Sequence, residues 1–419
     1  MFNEITYFNY EEETDMKLYF KDQAFSFELL RAAAYAGYQG AEIGECLATA
    51  EKIEEGNFES WFLEWKKTAD RTYQTAMDCF NKKHKVSARE AFLRAHNYYR
   101  TGEFFLDGSD ERRMENFDKS VMAFEKGMEL LDSHFEVVKI PYEGTYLKGY
   151  FYGASEDKKG ELKKRPVLVF IGGYDSTLQE LYFCGAAAAI KRGYHCLVFE
   201  MPGQGEALRK QNLFMRHDAE VPVSAALDYL ETRSEVDMEK LALLGMSLGG
   251  YFAPRAAAFD ERIKACIAFN VFYDTFDSTL NQNPQLAQVL QLPEEKREQM
   301  LAMAEEHNSN LKWMLNNGKW VFGLQHRYEV FDEMKKASLK GIAGNIKCPV
   351  LLTMGETDHF VSKDQLDTLL EEIKAPKTVR VFTIEEGAEE HCQEGNHALF
   401  HQVMFDWMDE VFDCNMEEI

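Results

Sequence analysis

The sequence predicts an α/β protein, a doubly wound and mostly parallel sheet preceded by a helical domain and interrupted by a helical cap. Three observations predict it. Apolar residues recur at spacings of three and four as far as about Leu131. From about His134 the pattern changes to short apolar runs without alternation, separated by helical stretches, as strands buried on both faces read. One of these runs passes through Gly245-Met-Ser-Leu-Gly249 into a helix. The expected division is 1–133 for the helical accessory domain and 134–419 for the sheet domain, with the cap at about 275–346.

Within the first part, Trp61, Trp65, Thr68, Ala69, Tyr73, Ala76 and Phe80 fall on one helical face. Ser87-Ala-Arg-Glu90 reads as a capping box opening the next helix, and Asp107-Gly-Ser-Asp110 breaks that helix from the last one. No catalytic constellation stands out there. Val137–Tyr142 and Thr145–Tyr152 alternate like a hairpin around Glu143-Gly144. Six further strands are expected at Pro166–Ile171, His195–Phe199, Leu241–Leu244, Ile263–Val271, Pro349–Thr353 and Thr378–Thr383.

Composition narrows the function. The 419 residues carry a net charge of −24, and 45% are hydrophobic. That is ample for a core, and the excess acid repels phosphate backbones and anionic lipid, so nucleic-acid and membrane partners are not expected. Met1–Asp15 lacks the basic and apolar regions of a signal peptide, and no apolar run reaches the roughly 20 residues of a spanning helix. Eight scattered cysteines without a Cys-x-x-Cys pair argue against a metal site and for reduced thiols in a cytoplasmic protein. A homodimer is compatible with the sequence.

The chemistry concentrates at Ser247. Glycines on both sides allow a strained strand-to-helix turn that lifts the hydroxyl above the sheet. A serine needs a base and an orienting acid. Asp358 follows the strand Pro349–Thr353, and His391 follows the next strand, so all three would leave one sheet edge in the order Ser…Asp…His. His397 is a rival base, but it begins a helical run, and Glu356 is a weaker candidate acid than Asp358. His359 reads as a loop residue. The oxyanion donors expected are the amides of Leu248 and of Gly173 or Tyr174, in the loop Gly172-Gly-Tyr-Asp-Ser176. Asp175 and Ser176 read as caps of a following helix, and Phe199–Gly205 as a tight loop. Glu385, Glu386, Glu389 and Glu390 read as a solvated loop face.

Together, Gly172-Gly-Tyr-Asp-Ser176, Met201-Pro-Gly-Gln-Gly-Glu206, Gly245-Met-Ser-Leu-Gly-Gly250 and Gly387-Ala-Glu-Glu-His-Cys-Gln393 resemble the α/β-hydrolase superfamily. They are similar in particular to the group with an N-terminal helical domain, which includes 2,6-dihydroxypseudooxynicotine hydrolase, FrsA-like esterases and fungal polyketide-shortening hydrolases. Glu200 departs from the Asp often found in related loops. The resemblance implies the α/β-hydrolase fold and a catalytic triad of Ser247, Asp358 and His391. It also implies cleavage of an ester, or of a carbon–carbon bond beside a carbonyl, in a small or medium acyl substrate through an acyl-enzyme, with no cofactor and no metal. The competing readings are a prolyl oligopeptidase-type peptidase and a non-catalytic binding protein that retains the fold. Trp313, Trp320, Phe322 and Tyr328 in the cap are candidates for lining the substrate pocket, and equally for packing the cap onto the sheet.

Overall fold

Among the described residues five α-helices come first: α1 (Gln23–Ala34), α2 (Ile43–Ala50), α3 (Phe58–Asn81), α4 (Lys85–Glu103) and α5 (Glu111–Glu129). The computed structural model describes residues 18–154 and 162–414, so the Met1–Asp15 segment lies outside the described residues. The apolar face of α3 buries Trp61 and Trp65 completely against Phe25, Phe92 and Tyr98. Asp110 caps α5 by accepting from the amide of Arg112, as the Asp107–Asp110 break predicts. The capping box expected at Ser87 does not form. Lys83 takes a left-handed conformation (φ 61°), and the amide of His84 closes α3 on the carbonyl of Cys79. That tight turn starts α4 at Lys85 and leaves Ser87 inside its first turn.

The sheet has eight strands in the order β1-β2-β4-β3-β5-β6-β7-β8. They are β1 (His134–Tyr142), β2 (Thr145–Gly153), β3 (Arg165–Ile171), β4 (His195–Phe199), β5 (Val236–Met246), β6 (Ala265–Phe269), β7 (Val350–Gly355) and β8 (Lys377–Phe382). β1 and β2 form the expected hairpin, with Glu143 and Gly144 both at positive φ, as a two-residue turn of matching twist requires. β2 runs antiparallel to β4, and the remaining pairings are parallel. The central strands are buried on both faces, which is why their sequences do not alternate.

The crossovers carry α6 (Ala187–Lys191), α7 (Gly205–Gln211), α8 (Glu220–Glu231) and α9 (Gly249–Ala257). Between β6 and β7 lie α10 (Thr275–Gln282), α11 (Leu286–Val289), α12 (Glu294–Glu305), α13 (Ser309–Val321) and α14 (Glu329–Met334). A bridge between Asp274 and Ser338 ties the two ends of this insertion together. α15 (Asp364–Glu372) and α16 (His397–Phe412) are the last α-helices among the described residues. The break expected at Asn316-Asn-Gly318 is absent, because α13 runs through it. Asn317 donates to the carbonyl of Tyr174, and a Cβ on Gly318 would overlap the Tyr174 hydroxyl, so tertiary contact outweighs the helix penalty of glycine.

The helical layer is held to the sheet by a buried ionic cluster. Arg31 of α1 contacts Glu28 (3.2 Å), Asp175 (2.8 Å) and Glu180 (2.7 Å), and Arg100 of α4 contacts Glu180 (3.1 Å) and Glu28 (3.4 Å). Burial pushes the Glu28 carboxyl up to about 7, against the pull of Arg31 and Arg100 and with some help from Asp175. Unfolded, the same group titrates near its ordinary 4.5. Folding therefore takes up a proton between these values. The contribution of Glu28 to stability is full below pH 4.5 and declines as pH rises through 7. Glu28→Gln lacks this titration, so its stability relative to wild type is expected to rise by about 1–3 kcal/mol between pH 5 and pH 8. Urea unfolding at the two pH values measures it, and a pH-independent difference would contradict the assignment.

Among the described residues no helix is long and apolar enough to cross a membrane. All eight cysteines are free thiols, six of them buried.

Candidate active site

The sheet order sets the site before any side chain is considered. β3 lies beside β5, and β5 to β8 are consecutive neighbours, so the loops after β3, β5, β7 and β8 emerge along one edge. Ser247 sits at the tip of β5 with φ 59°, a strained value for a residue with a side chain. The turn closes because its flanks are glycine. A Cβ on Gly245 would overlap the carbonyl of Gly249, and one on Gly250 would overlap the carbonyl of Asn270. The Ser247 amide donates to the carbonyl of Phe269 (2.7 Å), which locks the elbow to β6.

Ser247 Oγ lies 2.8 Å from His391 Nε2, and His391 Nδ1 lies 2.8 Å from Asp358 Oδ2. Both Asp358 and His391 are buried. The other oxygen of Asp358 accepts from the amides of Phe360 (2.8 Å) and Val361 (3.0 Å). Burial alone would raise this carboxyl, but the adjoining His391 and the amide hydrogen bond from Phe360 hold it below the usual range, so it stays ionised. A carboxylate there fixes the imidazole with its proton on Nδ1 and turns Nε2 toward the hydroxyl as acceptor.

Asn270, just beyond β6, donates to Asp358 Oδ2 and accepts from the amide of Cys392 (3.1 Å). It therefore ties Asp358 to the turn that carries His391. No motif points to it, although a lone amide residue ending the apolar run Ala265–Phe269 is a usable signal.

The glycine loop after β3 lies against the elbow. A Cβ on Gly173 would come within 2.8 Å of Ser247 Cβ and 2.9 Å of the Leu248 amide nitrogen. Of the two expected loop donors, the Gly173 amide is occupied, since it donates to Ser176 Oγ (2.8 Å). The amides of Tyr174 and Leu248 make no hydrogen bond among the described residues. Gln204 Nε2 donates to the Gly173 carbonyl (2.6 Å), and the N–H of a planar trans peptide points opposite its carbonyl. Gln204 thereby sets the direction of the Tyr174 N–H. It sits in the loop that reads from sequence only as a tight turn, and the buried Glu200 beside it accepts from the Ala207 amide (2.9 Å).

Two expectations around the loop are corrected. Asp175 and Ser176 do not cap a helix: Asp175 pairs with Arg31, and Ser176 accepts from Gly173. The glutamates before His391 are not one solvated face either. Glu389 and Glu390 are buried, because a Cβ-free Gly355 lets their backbone pass against the end of β7. Glu390 accepts from Gln23 of α1 (3.1 Å) and contacts His359 Nδ1 (2.9 Å). His397 lies in the first turn of α16, stacked near Tyr35 and apart from Ser247.

The cavity at Ser247 and His391 is walled by the cap, the sheet edge and α1, with Phe27, Phe252, Phe272, Met314 and Phe360 on its surface. Of the cap aromatics, Trp313 and Phe322 line it. Trp320 and Tyr328 do not. Trp320 is clamped between the guanidinium groups of Arg113 (4.0 Å) and Arg209 (4.8 Å), where the cap meets the helical layer. Tyr328 stacks on His326 and Arg297 within the cap.

Comparison with known proteins follows the same lines. A sequence model described as alpha/beta hydrolase fold matches residues 165–302. Hydrolase acrC of Aspergillus aculeatus is 35% identical over 94% of this chain and 98% of its own length. The chain belongs to the α/β-hydrolase family. Another relative, the 20-hydroxy-prefusarin hydrolase FUS2 of Gibberella moniliformis, is 36% identical over 94% of this hydrolase and 97% of its own chain. Among solved structures, 2,6-dihydroxy-pseudo-oxynicotine hydrolase shares the fold with a TM-score of 0.71 at 22% identity, covering 90% of this hydrolase and 95% of that chain. That coverage includes the helical layer as well as the sheet.

Proposed function

We propose that this α/β hydrolase is a serine hydrolase in which Ser247, His391 and Asp358 form the catalytic triad and an acyl-enzyme is the intermediate. The observation that carries the reading is the continuous hydrogen-bonded line from Ser247 Oγ through His391 to the ionised Asp358. Ser247 attacks a substrate carbonyl while His391 takes its proton at Nε2, and Asp358 stabilises the imidazolium. The amides of Leu248 and Tyr174 receive the oxyanion. His391 then protonates the leaving group, an alkoxide or a carbonyl-stabilised carbanion, and activates the water that releases the acyl group. The substrate class is a small or medium acyl compound, cleaved at an ester or at a carbon–carbon bond beside a carbonyl. The mostly apolar cavity supports this, as does the relative named for hydrolysis of 20-hydroxy-prefusarin.

The test is mass spectrometry of rapidly quenched enzyme after incubation with a panel of esters and β-diketones. An acyl adduct on the peptide containing Ser247 is expected, and turnover with the adduct on another residue contradicts the reading. The loop makes a second expectation. Gly173→Ala would push a methyl between Ser247 and the Leu248 amide, and is expected to lower kcat by about 10²-fold or more. Steady-state kinetics alongside a thermal melt check this, and an active, normally folded variant would remove the loop from the oxyanion site.

A further inference from the structure

The N–H of Tyr174 is one of the two oxyanion donors in the reading above, and its own chain does not fix its direction. It belongs to the peptide unit that begins with the Gly173 carbonyl, and a glycine, lacking Cβ, leaves that unit free to rotate. A rotation that turned the N–H away from Ser247 would cost the site a donor. The restraint comes from outside the loop, at both ends of Tyr174.

At the first end, Gln204 Nε2 donates to the Gly173 carbonyl (2.6 Å). The Gln204 amide group cannot reverse, because its Oε1 accepts from the Met201 N–H (3.0 Å). At the other end, the buried Asn317 of α13 donates through Nδ2 to the Tyr174 carbonyl (3.2 Å). The Tyr174 hydroxyl donates to the Met314 carbonyl of the same helix (2.9 Å), and its ring stands edge-on to Trp313 (6.0 Å). The loop that carries Gln204 is itself tied to α13. Gly203 N–H donates to the Leu213 carbonyl (2.7 Å), and two residues on, Met215 N–H donates to the Val321 carbonyl (2.8 Å). The helical layer seats α13 in turn, with Trp313 stacked on Phe104 (4.8 Å) and Trp320 held between Arg113 and Arg209.

We propose that α13 of the cap is a structural part of the oxyanion site, with Asn317 and Gln204 as positioning residues that aim the Tyr174 N–H. The proposal rests on the serine-hydrolase reading of Ser247. The cap then contributes to turnover as well as to the shape of the cavity, and the helical layer contributes by seating α13. Neither side chain needs to touch the reacting atoms. Their effect passes through the direction of one N–H, which counts for more against an oxyanion than against a ground-state carbonyl.

The experiment measures Asn317→Ala and Gln204→Met beside wild type. Each variant is expected to lower kcat for p-nitrophenyl acetate by about 10- to 10²-fold, with KM within about threefold of wild type. Affinity for an alkyl trifluoromethyl ketone, whose serine adduct carries an oxyanion, is expected to fall by a similar factor. Affinity for the matching methyl ketone, bound without an adduct, is expected to stay within about threefold. Alanine suits a helix interior better than asparagine, so Asn317→Ala should fold, and it decides alone if Gln204→Met does not. A role confined to packing or cavity shape would move KM and both ketones together, and that result overturns the proposal. A folded Asn317→Ala with wild-type kcat overturns it too, and leaves the serine-hydrolase reading in place. A wild type that neither turns over the ester nor takes the trifluoromethyl ketone overturns the serine-hydrolase reading, and this proposal with it.

Discussion

Replacing Ser247 by alanine is expected to lower ester hydrolysis by about 10⁴- to 10⁶-fold, leaving only what binding and the oxyanion amides supply. The fold should survive. The Ser247 amide still donates to Phe269, and the flanking glycines that permit the turn are unchanged. Only the hydroxyl that touches His391 Nε2 is lost. The check is kcat/KM for p-nitrophenyl acetate beside a thermal melt of both proteins. A folded variant with wild-type rates would remove Ser247 from the chemistry.

Replacing His391 is expected to have the second large effect. His391→Ala is expected to cost about 10⁴-fold or more in kcat, since the serine then has no proton acceptor. Asp358 would keep its contacts with Asn270 and with the amides of Phe360 and Val361, so the loss should appear in rate before stability. His397→Ala is expected to cost less than about tenfold, because that ring packs near Tyr35 in the first turn of α16. Parallel kinetics on the two variants decide the matter. The reverse order would move the base to His397.

The strands and the elbow were legible because their sequence signals are local. Buried runs such as Val167–Ile171 cannot alternate, and Gly245 and Gly250 sit where no side chain fits. Asp358 and His391 could be placed beside Ser247 because the ends of neighbouring parallel strands share an edge. What sequence did not give is set by contacts between distant segments. Asn270 acts through hydrogen bonds to loops 88 and 122 residues away, and Gln204 through one to a loop 31 residues away. Arg31 meets Asp175 across 144 residues, so neither reads as a partner of the other along the chain. The cap aromatics divided for the same reason: Trp313 and Trp320 stand on one helix, yet the first reaches the cavity and the second is taken by Arg113 and Arg209. Local signals also misled where tertiary contact prevailed, as at Gly318 beneath Tyr174 and at Ser87 behind the turn of Lys83.

The central claim is that Ser247 is a nucleophile activated by His391. Incubation with a fluorophosphonate probe, followed by peptide mass spectrometry, tests it most directly. Stoichiometric labelling of Ser247 in the wild-type protein, lost in His391→Ala, is the result expected. An unlabelled Ser247 under conditions that label a control serine hydrolase would contradict it.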